Sequence, residues 1–124
     1  MFKRIESTAK ANELIAQLKE RNGDLMFHQS GGCCDGSQPM CFALGDFKVG
    51  QSDVCLGTVE NCKFWMSKDQ FEYWKHTHLT LDVVDGRGAS FSLEIPYGKR
   101  FIIHSRLFTE DEADKLEPLT FLED

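Results

Sequence analysis

The stretch His28-Gln29-Ser30-Gly31-Gly32-Cys33-Cys34-Asp35-Gly36-Ser37-Gln38-Pro39-Met40-Cys41 constrains this chain more than any other. It carries Gly31, Gly32 and Gly36, which let the backbone pass through positive φ and approach itself or a ligand closely. Neither a helix nor a regular strand runs through such a segment, so it reads as a sharply bent loop. The apolar runs on either side, Leu25-Met26-Phe27 and Cys41-Phe42-Ala43-Leu44, read as the strands that enter and leave it. A loop of this kind can bring the thiols of Cys33, Cys34 and Cys41 together, with His28 entering from the preceding strand.

The 124 residues are expected to form one domain, long enough to bury an ordinary core. A formal charge of -6 and a pI near 5.2 argue against nucleic acid as the main partner, because phosphate binding needs a basic face. No apolar run approaches the roughly 20 residues of a membrane span, and Met1 to Glu6 lacks the apolar segment of a signal peptide. The cytoplasm is the expected location. The five cysteines are an odd number, so they cannot all pair within the chain. In a reducing compartment such thiols serve as metal ligands, redox groups or small buried hydrophobes.

Residues 7–21 predict an amphipathic helix, with Ala11, Leu14, Ile15 and Leu18 on one face. Ser7 or Thr8 caps its start, and Asn22-Gly23 supplies a left-handed stop. Phe47 and Val49, then Val54 and Leu56, alternate with polar or small residues as half-buried strands do. Cys62-Lys63-Phe64-Trp65-Met66 is a further strand. Ser67-Lys68-Asp69-Gln70 has capping-box form and predicts a short helix over 68–75 with Phe71 and Trp74 on its buried face. Leu79, Leu81 and Val83 alternate with polar partners, as do Phe91, Leu93 and Ile95, so Asp85-Gly86-Arg87-Gly88 reads as a hairpin turn between them. A last strand is expected over 100–104. Thr109 to Glu112 is a second capping box, opening an acidic helix to about residue 116 and a solvated tail. The expected fold is α+β: an N-terminal helix, a β-rich core over 24–108 whose short strands form a distorted barrel or sandwich, and a short C-terminal helix and tail over 109–124.

Thiolates and an imidazole are the donors that zinc and iron take, so Cys33, Cys34, Cys41 and His28 form a candidate metal set. Two other chemistries stand beside it. Cys33 or Cys34 can act as a nucleophile with His28 as its base, or two of the thiols can form a redox-active disulfide. His76 and His78 flank Thr77 and would share a face in a strand, which suits a metal pair, or they cap the helix-to-strand junction and face solvent. His104 is an isolated strand histidine. Cys55 and Cys62 sit on apolar strands and read as buried, with Cys62 the more plausible extra thiol. Asp35 or Asp53 can orient a ligand histidine or serve in turns. Arg87 can meet an anion or an acidic partner, or stay solvated in its turn.

The loop residues 28–37 and 39–41 resemble an uncharacterised bacterial family catalogued as domain of unknown function 779. So do Trp74-Lys75-His76-Thr77, Asp82-Val83-Val84, Gly86-Arg87-Gly88, Phe91-Ser92-Leu93-Glu94 and Ser105-Arg106-Leu107-Phe108. Members tend to be encoded beside NAD-dependent aldehyde dehydrogenases, so the resemblance implies an accessory protein of alcohol or aldehyde metabolism. It implies no defined activity. The order of elements is also similar to the HesB-like A-type iron–sulfur carriers, whose Gly-Gly-Cys loop Gly31-Gly32-Cys33 matches. That likeness implies a HesB-like core, with His104 as an additional ligand. Ile102-Ile103-His104 stands where their second, Cys-Gly-Cys element would fall. The reading that follows is a metal- or iron–sulfur-binding accessory protein centred on the Gly-Gly-Cys-Cys loop, with His28 or His76 completing the ligand set. A thiol-dependent enzyme or aldehyde sensor, and a non-catalytic dehydrogenase-binding module, are the alternatives. A homodimer is left open.

Overall fold

The computed structural model describes residues 3–29, 39–45, 49–86, 93–116 and 120–121. The chain begins with a short strand, β1 (Ile5–Ser7), which the sequence pattern did not disclose. Helix α1 (Ala9–Asn22) follows, and the Thr8 side chain accepts the Ala11 N–H at its start. Gly23, at φ +79°, stops it and returns its N–H to the Lys19 carbonyl. The stripe Ala11, Leu14, Ile15 and Leu18 is buried, as the helical spacing requires.

Next come β2 (Leu25–Gln29), β3 (Met40–Ala43), β4 (Asp53–Val59) and β5 (Cys62–Ser67). A tight turn joins β4 to β5, with Glu60 and Asn61 both at positive φ, the backbone a two-residue hairpin needs. Helix α2 (Lys68–Trp74) starts at Ser67, whose hydroxyl accepts the Gln70 N–H. Strand β6 (Thr77–Asp85), a single 3-10 turn (Ile95–Tyr97), β7 (Lys99–Leu107), α3 (Glu110–Asp114) and β8 (Thr120–Phe121) complete the order. Thr109 and Glu112 form the expected capping box of α3.

The strands form two sheets rather than a closed barrel. One has the order β1-β6-β7 and the other β3-β2-β5-β4-β8. A single apolar core joins them. Phe27 of the larger sheet stacks on Phe64 at 5.9 Å between centroids and meets Phe101 of the smaller sheet edge-on at 5.0 Å. Leu14, Ile15 and Leu18 of α1 close the same cluster with Ile5, Leu79 and Leu81.

Two expectations are corrected. Strand β6 does not pair with Leu93 or Glu94. Its antiparallel partner is β7, in the register Leu81↔Ile103. Leu93 and Glu94 lie in a turn that leads into the 3-10 segment, where Pro96 has no N–H to give a ladder. The Glu94 side chain is buried and accepts the Phe101 N–H at 3.3 Å, which a strand residue of an exposed hairpin face would not do. The tail is not wholly solvated either, because β8 pairs antiparallel with β4. The expected strand around Phe47 and the Arg87 turn lie partly or wholly outside the described residues.

Candidate functional site

Strands β2 and β3 pair antiparallel with His28 opposite Met40 as their last matched pair. The glycine–cysteine segment is therefore the connection of a β-hairpin, and the residues at its base can be placed. Side chains alternate across a strand. Leu25 and Phe27 enter the main core, while Met26 joins a second apolar cluster with Cys55 and Trp65 on the other face. His28 shares the face of Met26. Cys41, opposite Phe27, shares the face of the main core.

On its face His28 is 4% exposed, and its Nε2 donates to Oδ1 of Asp53 at 2.7 Å. The register explains this contact. Strand β5 lies between β2 and β4, with Trp65 beside His28 and Ser67 beside Asp53, so the pair reaches over β5 between those two positions. The second carboxylate oxygen, Oδ2, accepts the Gly50 N–H at 2.9 Å. Asp53 N–H in turn bonds the Gly50 carbonyl, so the 50–53 turn fixes the carboxylate. With Nε2 committed to Asp53, any coordination or proton transfer by this ring runs through Nδ1. A carboxylate that fixes one ring nitrogen in this way sets the orientation of the other.

Cys41 is in a different situation. It is fully buried, and burial first, then the nearby Glu94 and Cys62, push its thiol far above the ordinary range. A thiol that resists ionisation is a poor nucleophile. Cys62 is buried beside the β4–β5 turn, donates to the Glu60 carbonyl, and is also raised by burial, with Lys19 working in the opposite direction. Cys55 donates to the Gly57 carbonyl on the opposite face.

The other histidines are not gathered here. His76 is exposed in the turn after α2, and the strand that would have paired it with His78 begins at Thr77. His78 is buried on the outer face of the three-stranded sheet, 3.1 Å from Glu6 and edge-on to Phe108. His104, on the same sheet face, meets Asp82 at 3.0 Å. Among the described residues, no three of His, Cys, Asp and Glu are grouped to hold a metal. Cys33, Cys34 and Asp35 lie outside the described residues, as does Arg87. At the base of this hairpin the candidate donors are thus divided: His28, with Asp53 behind it, faces one side of the sheet and Cys41 the other. A cleft of about 510 Å³ between α1 and the far end of β6 involves Lys10, Leu14, Val83 and Lys99, and none of the candidate residues among those described lines it.

The sequence offers Asp53 as one of two acceptors, whereas Gly50 reads there only as a break between strands, and Trp65 and Glu94 only as strand residues. The turn composition of Gly50-Gln51-Ser52-Asp53 was the available signal for the first. Trp65 carried none beyond its apolar strand.

The model of the family described as domain of unknown function DUF779 matches residues 14–107. The chain belongs to that family. No curated protein matches it. Among solved structures, one of IscA with the [2Fe-2S] cluster is similar at 13% identity and a TM-score of 0.48, covering 81% of this chain and 83% of that one. No helix among the described residues is long and apolar enough to cross a membrane.

Proposed function

We propose that this DUF779 chain binds a metal, as a zinc or iron ion or an iron–sulfur cluster, at the head of the β2–β3 hairpin. The observation that carries the reading is the buried His28–Asp53 pair, 2.7 Å apart, at the last matched position before the Gly-Gly-Cys-Cys connection. Cys33 and Cys34 supply thiolates from that connection, and His28, held by Asp53, supplies the imidazole. Asp53 fixes the ring, and Gly50 fixes Asp53. A bound metal would contribute Lewis acidity or electron transfer there. Cys41 stays out of the ligand set.

Elemental analysis and a visible spectrum of protein purified without oxygen test this. Near-stoichiometric metal is expected in the parent and in Cys41→Ala, with loss in Cys33→Ser and Cys34→Ser. Metal-free protein that gains none on titration overturns it.

A second reading rests on the same pair. An imidazole fixed by a carboxylate is the arrangement that activates a thiol, and it needs only one cysteine. In this reading His28 takes the proton of Cys33 or Cys34, which then attacks an electrophile such as an aldehyde. A fast-reacting thiol in metal-free protein, slowed by His28→Ala, supports it; uniformly sluggish thiols exclude it. The biological setting, support of an NAD-dependent aldehyde dehydrogenase, is drawn from the family resemblance alone. Protecting the reactive thiol of such an enzyme from oxidation when the purified proteins are mixed is the expected result.

A further inference from the structure

The longest open strand edge among the described residues belongs to β7. Thr8 N–H bonds the Leu81 carbonyl and Leu79 N–H bonds the Arg4 carbonyl, each at 2.9 Å, so the odd-numbered residues of β6 turn their main-chain groups toward β1. The even-numbered residues of β6 therefore serve β7, and the register Thr80↔His104 gives them even-numbered partners. Gly86 N–H to Gly98 O and Phe108 N–H to His76 O continue the same even ladder past both ends. It follows that Phe101, Ile103, Ser105 and Leu107 direct their N–H and C=O groups outward.

Both ends of this edge are closed within the chain. Glu94 Oε2 takes the Phe101 N–H, and Arg106 Nη1 donates to the Leu107 carbonyl, each at 3.3 Å. Between them, among the described residues, the main-chain groups of Ile103 and Ser105 meet no partner. The side chains on the core-facing side become uncovered along the same stretch. Phe101 is fully buried, Ile103 half-buried, Ser105 exposed, and Leu107 is 74% exposed. An open edge ending in a bare leucine is a template for another strand.

We propose that β7 pairs antiparallel with β7 of a second copy of this chain, about a two-fold axis at Ser105, so that two three-stranded sheets become one continuous sheet. The register follows from chemistry. Centred on Ile103, the axis sets Arg100 against Arg106 of the second copy. Centred on His104, it sets that histidine against itself and leaves the capped Phe101 N–H facing the second copy. Centred on Ser105, it sets Ile103 against Leu107 of the second copy, both on the core-facing side, and leaves the capped Phe101 N–H outside the Ile103–Leu107 pairing. On the outer side His104 then meets Arg106 of the second copy. Each of the two side chains brings its own carboxylate, Asp82 at 3.0 Å from His104 and Glu112 at 2.7 Å from Arg106. The contact is isologous, as a closed dimer requires.

Light scattering coupled to gel filtration on the full chain tests the proposal over a range of micromolar concentrations. The expected mass is twice 14.1 kDa, falling to the single-chain value in Ser105→Pro and in Leu107→Lys. Ser105→Pro removes an outward N–H that the intrachain ladder does not use, and Leu107→Lys leaves the backbone unaltered. If the proline variant fails to fold, the lysine variant decides. A parent that stays monomeric throughout overturns the proposal, as does a dimer that survives the lysine variant.

Discussion

His28 and Cys41 stand on neighbouring strands of one hairpin and face opposite sides of its sheet. His28 meets Asp53 on one side, and Cys41 is sealed beside Phe27 on the other. Residue spacing made them candidate co-ligands; strand alternation separates them.

The first consequence concerns Asp53. Replacing it by Asn keeps the size but withdraws the charge that holds His28 and one of the acceptors that face His28 and Gly50. Loss of an orienting carboxylate behind a ligand histidine weakens metal binding by roughly 10- to 100-fold. Competition with a chelator should show that fall in Asp53→Asn, together with a lower urea midpoint, because a buried imidazole is left poorly paired.

Cys41 should be inert. Its raised pKa leaves almost no thiolate near neutrality, and the folded core denies a reagent access. Mass spectrometry after iodoacetamide treatment at about pH 8 should find Cys41 unlabelled in native protein and labelled in denaturant. Rapid native labelling would place this thiol in the site after all.

The aromatic trio at the centre of the core sets a third expectation. Phe27 contacts both Phe64 and Phe101, so it ties the two sheets together. Phe27→Ala should cost about 3–5 kcal/mol, by lost transfer energy and the cavity left behind, read from urea unfolding. Phe27→Leu, which keeps most of the volume, should cost much less.

How far the fold was legible depended on how local each determinant was. Helix α1 declares itself through the Thr8 cap, the spacing of Leu14 and Leu18, and Gly23, all within one segment. Strand β1 is three residues long and takes its identity from pairing with Leu79 to Leu81, more than seventy positions away. The alternation Phe91, Leu93, Ile95 imitates a strand, yet Glu94 is drawn into the core to cap Phe101, and the true partner of β6 starts at Lys99. The site divides in the same way. The hairpin and His28 are visible in the sequence, and Asp53 was one of two carboxylates on offer. That β5 would insert between β2 and β4, and bring Asp53 rather than another acid to His28, is a matter of sheet order, which local pattern does not encode.

The last expectation concerns acid. Arg106 and Glu112 make a two-pronged ion pair at 2.7 and 2.9 Å, and the Thr109 N–H also donates to Glu112. The guanidinium, then the backbone N–H, lower the Glu112 carboxyl from 4.5 to about 2. A carboxylate depressed in the folded state stabilises it fully above the unfolded value, and that contribution is lost as pH falls toward the folded one. Stability should therefore decline between about pH 4.5 and 2 through this group, and Glu112→Gln should flatten that part of the profile. Because the pair is exposed, its contribution is screened, and added salt should shrink the difference between parent and variant. Thermal melts of both proteins across that range, at low and high salt, are the measurement. An unchanged slope in Glu112→Gln would mean that the ion pair tying β7 to α3 does not form in solution.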